Sequence, residues 1–170
     1  LMLDRAGLTG NDGVTHQGIF DLAYLSHIPN MTVYAPKDAT ELKDTVAYTL
    51  KQGKPAAIRY ENGVNPYFDN HSALSDGLWE RVSKGTRACI LAVGGRMLRL
   101  ASEVAEQLGD VEVVNCRCVK PLDEEYLNAL SFETVVTLED GVLTGGFGQR
   151  VSAYLAGRGN ACRVVSLGVP

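Results

Sequence analysis

Short apolar runs alternate along this chain with longer stretches in which apolar side chains recur every three or four residues. Residues 1–3, 31–35 and 55–60 read as strands, the first of them buried. Residues from about 16 to 26 read as a helix with Ile19, Ala23 and Phe20 inward, which Pro29 prevents from continuing. Asp38-Ala39-Thr40-Glu41 has the pattern of a capping box and opens a helix that carries Leu42, Val46 and Leu50 on one face. From Asn62 to Gly77 the chain turns polar and collects Gly63, Pro66, Asn70 and Ser72, a linker composition. The alternation then resumes, with strands at 79–83, 88–93, 111–116, 134–138 and 163–167. Helices fall at 97–108, stopped by Gly109, at 123–130 and at 146–156. Strands separated by amphipathic helices predict mostly parallel sheets covered on both faces, so the fold class expected is α/β in two small layered units. Residues 1–64 form the first, 65–77 the linker and 78–170 the second.

Composition narrows what such a chain can do. Its 170 residues are 45% apolar, ordinary for a core-forming domain, and its net charge of −4 comes without any long basic run. That gives no reason to expect nucleic acid or an anionic membrane surface as partner. No apolar stretch approaches the roughly 20 residues that cross a bilayer. Cys89, Cys116, Cys118 and Cys162 each lie in or beside a β-like apolar run, and the Cys-x-Cys pair lacks zinc spacing. Buried free thiols in a reducing cytoplasm are the expectation.

The chemistry concentrates near the start. Between Asp4 and Gly18 one Arg, two Asp and one His stand among four glycines, directly after an apolar strand. Glycines let backbone approach a ligand, an Arg offers a planar fork to phosphate, and an imidazole can donate or shuttle a proton. The plain alternative is a turn shaped by its glycines, with Asp12 capping a helix that His16 begins. Elsewhere, Tyr24, Tyr34 and Tyr60 read as packing residues rather than cofactor contacts. Glu139-Asp140 reads as a diverging pair on a turn. Gly145-Gly146-Phe147-Gly148 reads as close backbone packing, because no Lys or Ser/Thr follows in P-loop spacing. His27, at a helix end, and His71, in the linker, have no partner that suggests catalysis.

A longer pattern supplies more. Thr15-His16-Gln17-Gly18, Phe20-Asp21, Tyr24-Leu25, Ile28-Pro29-Asn30-Met31, Ala35-Pro36 and Asp38 resemble the pyrimidine-binding domain of the 1-deoxy-D-xylulose-5-phosphate synthases, thiamine-diphosphate enzymes of the transketolase superfamily. Val119-Lys120-Pro121-Leu122-Asp123 and Gly145-Gly146-Phe147-Gly148 resemble that family's C-terminal domain, so the likeness runs through nearly the whole chain. It implies a partial pyrimidine domain followed by most of a C-terminal domain. It also implies a cytoplasmic homodimer that condenses pyruvate, with decarboxylation, and glyceraldehyde 3-phosphate to 1-deoxy-D-xylulose 5-phosphate, the entry step of non-mevalonate isoprenoid synthesis.

By the same resemblance Arg5 and Arg59, each at the carboxyl end of a strand, converge on the acceptor phosphate. His16 hydrogen-bonds the substrate carbonyl or an intermediate oxygen, and Asp12 contacts the acceptor and orients its neighbours. The family's thiamine diphosphate and Mg2+ are held by a Gly-Asp-Gly and downstream Asn pattern and by a glutamate, none of which has a counterpart here. The chain therefore reads as a fragment, inactive alone and without tight cofactor binding of its own. One departure stands out: the family commonly has Arg-Tyr-Pro-Arg-Gly where this chain has Arg59-Tyr60-Glu61-Asn62-Gly63, exchanging a positive charge for a negative one. A transketolase, a 2-oxoacid dehydrogenase β subunit and a non-catalytic assembly module remain the alternatives.

Overall fold

In the computed structural model, which describes residues 1–10, 12–63, 68–69, 71–75 and 78–170, two sheets stand at the centre. The first contains β1 (Met2–Leu3), β2 (Thr32–Tyr34), β3 (Ala56–Arg59) and β7 (Cys118–Lys120) in the order β1-β3-β2-β7. The second contains β4 (Glu80–Ser83), β5 (Ala88–Val93), β6 (Val111–Asn115), β8 (Thr134–Val142) and β9 (Arg163–Val169) in the order β4-β6-β5-β8-β9. All pairings are parallel except β2 with β7 and β4 with β6. The helices are α1 (Asp21–Ser26), α2 (Ala39–Gln52), α3 (Gly95–Leu108), α4 (Glu124–Asn128) and α5 (Phe147–Gly157).

The α/β class and the alternation agree with the sequence pattern; several local expectations do not. The first helix begins at Asp21 rather than near 16, and Phe20 is 58% exposed while Asp21, Leu22 and Leu25 turn inward. Residues 4–18 are instead tied across by the pairing of Ala6 and Gly7 with Gly18. Leu1 at 69% exposure and the exposed Met2 show that the first strand is an edge, not a buried element. On α2, Leu42 and Val46 pack against the core but Leu50 is 77% exposed, one turn past the region the sheet covers. Tyr34 is buried edge-on to Tyr48, whereas Tyr24 is 52% exposed and not a packing residue. Glu139 and Asp140 lie within β8, which runs past Leu138, so they point to opposite faces of a strand rather than diverging on a turn.

Strand β7 was not apparent in the sequence. Leaving the second sheet after β6, the chain crosses to pair antiparallel with β2, placing Cys118 opposite Tyr34 and Lys120 opposite Val33, then returns for α4 and β8. The Lys120 ammonium donates to the carbonyls of Ser26 and Ile28 and fastens the end of α1. One apolar core consequently draws on both sheets, joining Leu25, Val33 and Ile58 to Leu91, Val114 and Phe147. A second core, around Ile90, Leu98 and Val113, fills the space under α3.

The seam between the sheets is also ionic. Lys37 meets Glu80 at 2.6 Å and Arg117 meets Glu41 at 3.4 Å, with the buried Asn115 amide donating to both carboxylates. Asp38 caps α2 by accepting from the Glu41 amide, and the Glu41 carboxylate reaches back past the cap to the amide of Lys37 instead of closing the reciprocal box on Asp38. Burial pushes the Glu41 carboxyl up, against the pull of those donors. About half of the expected linker lies outside the described residues. Of those described, Leu74 is buried and Ser72 bonds to Glu80 and Arg117, so part of this segment packs against the seam.

Candidate functional site

The loop that leaves β1 holds Arg5, Asp12 and His16. Arg5 Nε donates to Asp12 Oδ2 at 2.7 Å and Nη1 to the exposed Asp4 at 2.9 Å, and the hydrogen bond accepted by Asp12, with that carboxylate's charge, raises the guanidinium's affinity for its proton. Asp12 therefore serves Arg5 and caps no helix. The backbone of Arg5 sits at φ 56, the left-handed region that costs a non-glycine residue about 1–2 kcal/mol. Gly7 follows at φ 75, with no room for a side chain: a Cβ there would lie 2.1 Å from Asp140 Oδ2. Reciprocal bonds between Gly7 and Gly18 close the base of the loop.

Inside the loop, Gln17 acts as a scaffold. Its Oε1 accepts from the Thr9 amide at 2.6 Å, and its Nε2 donates to the carbonyls of Thr9 and Gly13. This role explains why an amide, with donor and acceptor on one end, stands between His16 and Gly18. His16 is exposed, with Nδ1 2.9 Å from the Thr15 hydroxyl. When that hydroxyl donates, the outward Nε2 carries the proton and is free to give a hydrogen bond.

Arg59 is a different matter. It is 3% exposed, its Nε pairs with Asp21 at 2.9 Å, and its Nη2 donates to the carbonyls of Gly18 and Asp140. Arg5 and Arg59 take different partners in this structure: through Nε and Nη2 the Arg59 guanidinium bonds inside the protein, joining the loop base and α1 to β8. A strand-end position shows where an arginine begins, but only the packing shows whether its tip reaches solvent.

A residue the sequence did not single out completes the loop's surroundings. Arg96, in the first turn of α3, donates from Nη1 to the Leu8 carbonyl at 2.6 Å and from Nη2 to the Ala6 carbonyl at 2.8 Å. It pairs with Asp140 at 2.8 Å, and its Nε stands 3.3 Å from Glu61. No local motif marks Arg96, whose partners lie some 35 to 90 positions away in the chain.

Whether these residues could hold a diphosphate and its metal is decided by the helix ends. The amide of Arg96 donates to Glu61 Oε1, those of Phe147 and Gly148 donate to the buried Glu139, and that of Glu41 donates to Asp38. Each of the three long helices thus begins against one of the chain's own carboxylates, which fills the place an anion would take. Burial raises the Glu139 carboxyl, with the two amides opposing. Close packing in the glycine-rich segment is as expected, since a Cβ on Gly148 would lie 2.3 Å from Thr137 Oγ1. Among the described residues no group of three His, Cys, Asp or Glu is placed to hold a metal ion. The described residues therefore do not fit a magnesium-diphosphate site.

The remaining candidates are quiet. Cys89, Cys116 and Cys118 are buried free thiols, burial pushing the first and third up to about 12, and Cys162 is half-buried. His71 bonds to Asp44 at 3.0 Å and His27 to the Ser26 hydroxyl. No helix among the described residues is long and apolar enough to cross a membrane.

Comparison with known proteins agrees with this architecture. Residues 1–65 match the pyrimidine binding domain of transketolase and residues 77–170 the transketolase C-terminal domain. The chain is 43% identical to the 1-deoxy-D-xylulose-5-phosphate synthase of Aquifex aeolicus over 99% of its length, and 42% identical to that of Clostridium tetani over 98%. It spans 28% of the length of either relative. A solved structure described as a split gene transketolase, inactive beta4 tetramer, superimposes with a TM-score of 0.86 at 29% identity, covering 99% of this chain and 56% of the other. The transketolase of Campylobacter jejuni shares the fold, with a TM-score of 0.68 at 20% identity over 99% of this chain and 26% of its own. Two transketolase-type units in this order, spanning nearly the whole chain, mean that the chain belongs to the transketolase family.

Proposed function

We propose that this chain is the acceptor-binding portion of a thiamine-diphosphate- and Mg2+-dependent synthase that joins pyruvate, with loss of carbon dioxide, to glyceraldehyde 3-phosphate. Support comes chiefly from the Arg5–Asp12 ion pair on a loop that also exposes His16, just beyond the carboxyl end of a parallel strand, where α/β sheets bind ligands. In this reading Arg5 turns its fork to the acceptor phosphate, Asp12 aims that fork, and Nε2 of His16 donates to the oxygen on which charge develops. Arg59 contributes by bracing the loop base. Magnesium and diphosphate are held by other parts of a longer protein, a cytoplasmic homodimer, and the 170 residues alone are inactive. The exposed Phe20 and Tyr24, one helical turn apart, fit the dimer contact.

The test uses a longer synthase that contains this segment. Arg5→Ala raises KM for glyceraldehyde 3-phosphate by roughly 10- to 100-fold, the worth of a lost charge-assisted hydrogen bond. His16→Ala lowers kcat by about 100-fold or more. The split-gene transketolase likeness favours a second reading, a subunit that serves assembly. Unchanged turnover with both substitutions would establish that reading and remove the first.

A further inference from the structure

We infer that Arg96 is a positioning residue that locks the Arg5-bearing loop onto the second sheet, so that the shape of the acceptor site is set by a side chain outside it. The inference rests on the function proposed above and deepens it.

A non-glycine residue in the left-handed region persists only when its surroundings over-determine it, and Arg5 at φ 56 is such a residue. What determines it lies just downstream. The Ala6 amide is held by the Tyr60 carbonyl and the Leu8 amide by Asp140 Oδ1, while Arg96 takes the carbonyls of both Ala6 and Leu8. Three consecutive residues are therefore fixed at both ends, and Gly7 between them is pressed against the same Asp140. With that grip released, Arg5 is free to relax to negative φ, which swings its guanidinium away from Asp12.

The clamp requires arginine specifically. One planar group serves two carbonyls and two carboxylates, those of Asp140 and Glu61, which a lysine ammonium with three donors on a flexible stem does not match. Glu61 earns its place twice: its Oε1 accepts from the Arg96 amide and its Oε2 faces Nε, so backbone and side chain of Arg96 are oriented together. Glu61 is also where this chain departs from the resembled family. The departure thus acquires a partner, a cation delivered from α3 to the loop.

The experiment follows inorganic phosphate binding by NMR and amide hydrogen exchange at Leu8, in this chain and in Arg96→Ala, Arg96→Lys, Glu61→Gln and Arg5→Ala. With a clamp, Arg96→Ala weakens phosphate about tenfold and speeds exchange at Leu8 by a similar factor, with β5 amides unchanged. Arg96→Lys fails to restore either, and Glu61→Gln shows the same changes in smaller measure. Wild-type phosphate affinity and Leu8 exchange in a folded Arg96→Ala protein would overturn the inference. If Arg96→Ala does not fold, wild-type values in Glu61→Gln would do so. Should Arg5→Ala bind phosphate normally, or the wild type not bind it, the acceptor reading fails, and Leu8 exchange still decides the clamp.

Discussion

The seam cluster of Lys37, Glu41, Glu80, Asn115 and Arg117 and the loop trio of Asp4, Arg5 and Asp12 are built from the same kinds of group in opposite surroundings. In the seam, Lys37, Glu41 and Arg117 are buried, and the carboxylates accept from several donors at once. On the loop, Arg5 and Asp12 are half-buried, Asp4 is exposed, and the guanidinium's partners are side chains that water can replace. Desolvation makes the difference. A sealed ion pair is costly to break and has no reason to exchange partners, whereas a pair in water contributes little to stability and can hand its cation to a ligand. Charged residues in this protein thus divide by burial into those that hold the two sheets together and those available for chemistry.

Removing one member of the sealed group is the strongest way to break that comparison. Arg117→Ala leaves the buried cluster one positive charge short, with Lys37 facing two carboxylates, and is expected to lower the unfolding free energy by about 3–5 kcal/mol, read from urea denaturation. A loss below about 1 kcal/mol, the worth of an exposed pair, would show that water reaches the seam.

A smaller effect sharpens it through pH. Burial holds the carboxyl of Glu139 above its ordinary value of 4.5, so over that window the folded chain binds more protons than the unfolded one. Its contribution is therefore most favourable below about pH 4.5 and declines as pH rises through the folded value. Glu139→Gln should flatten the fall of the denaturation midpoint between mildly acidic and neutral pH. An unaltered slope would mean that the two amides of α5 fully offset the burial.

The smallest effect concerns the open trio. Because Arg5 already faces Asp4 and Asp12, a phosphate dianion must displace or tolerate a carboxylate to reach it. Replacing the more exposed one, Asp4→Asn, should tighten phosphate binding by a factor of about 2 to 5, the scale of a surface pair. Weaker binding in calorimetric titration would place Asp4 in support of the site instead of in competition with it.

The two arginines named from the sequence fall on opposite sides of this division, which shows how far sequence reasoning reached. Both Arg5 and Arg59 follow apolar runs and both stand at strand ends, features that a linear pattern displays. What separates them is the surroundings of each tip: Asp21, Gly18 and Asp140 close over Arg59, from positions 38 to 81 residues away. The Asp38 cap of α2 was readable because its partner lies three residues away. Arg96 was not, for the opposite reason.

Periodicity, glycine placement and capping chemistry act over one or two turns, so the sequence by itself determined the succession of strands and helices, the α/β class and the loop on which Arg5, Asp12 and His16 stand. The tertiary structure alone decided that residues 118–120 cross to the first sheet, that Arg59 is sealed while Arg5 is open, and that Arg96 grips the loop. Those outcomes depend on which distant groups become neighbours and which lose their water. Burial is a property of the packed whole, which a local pattern of residues does not contain.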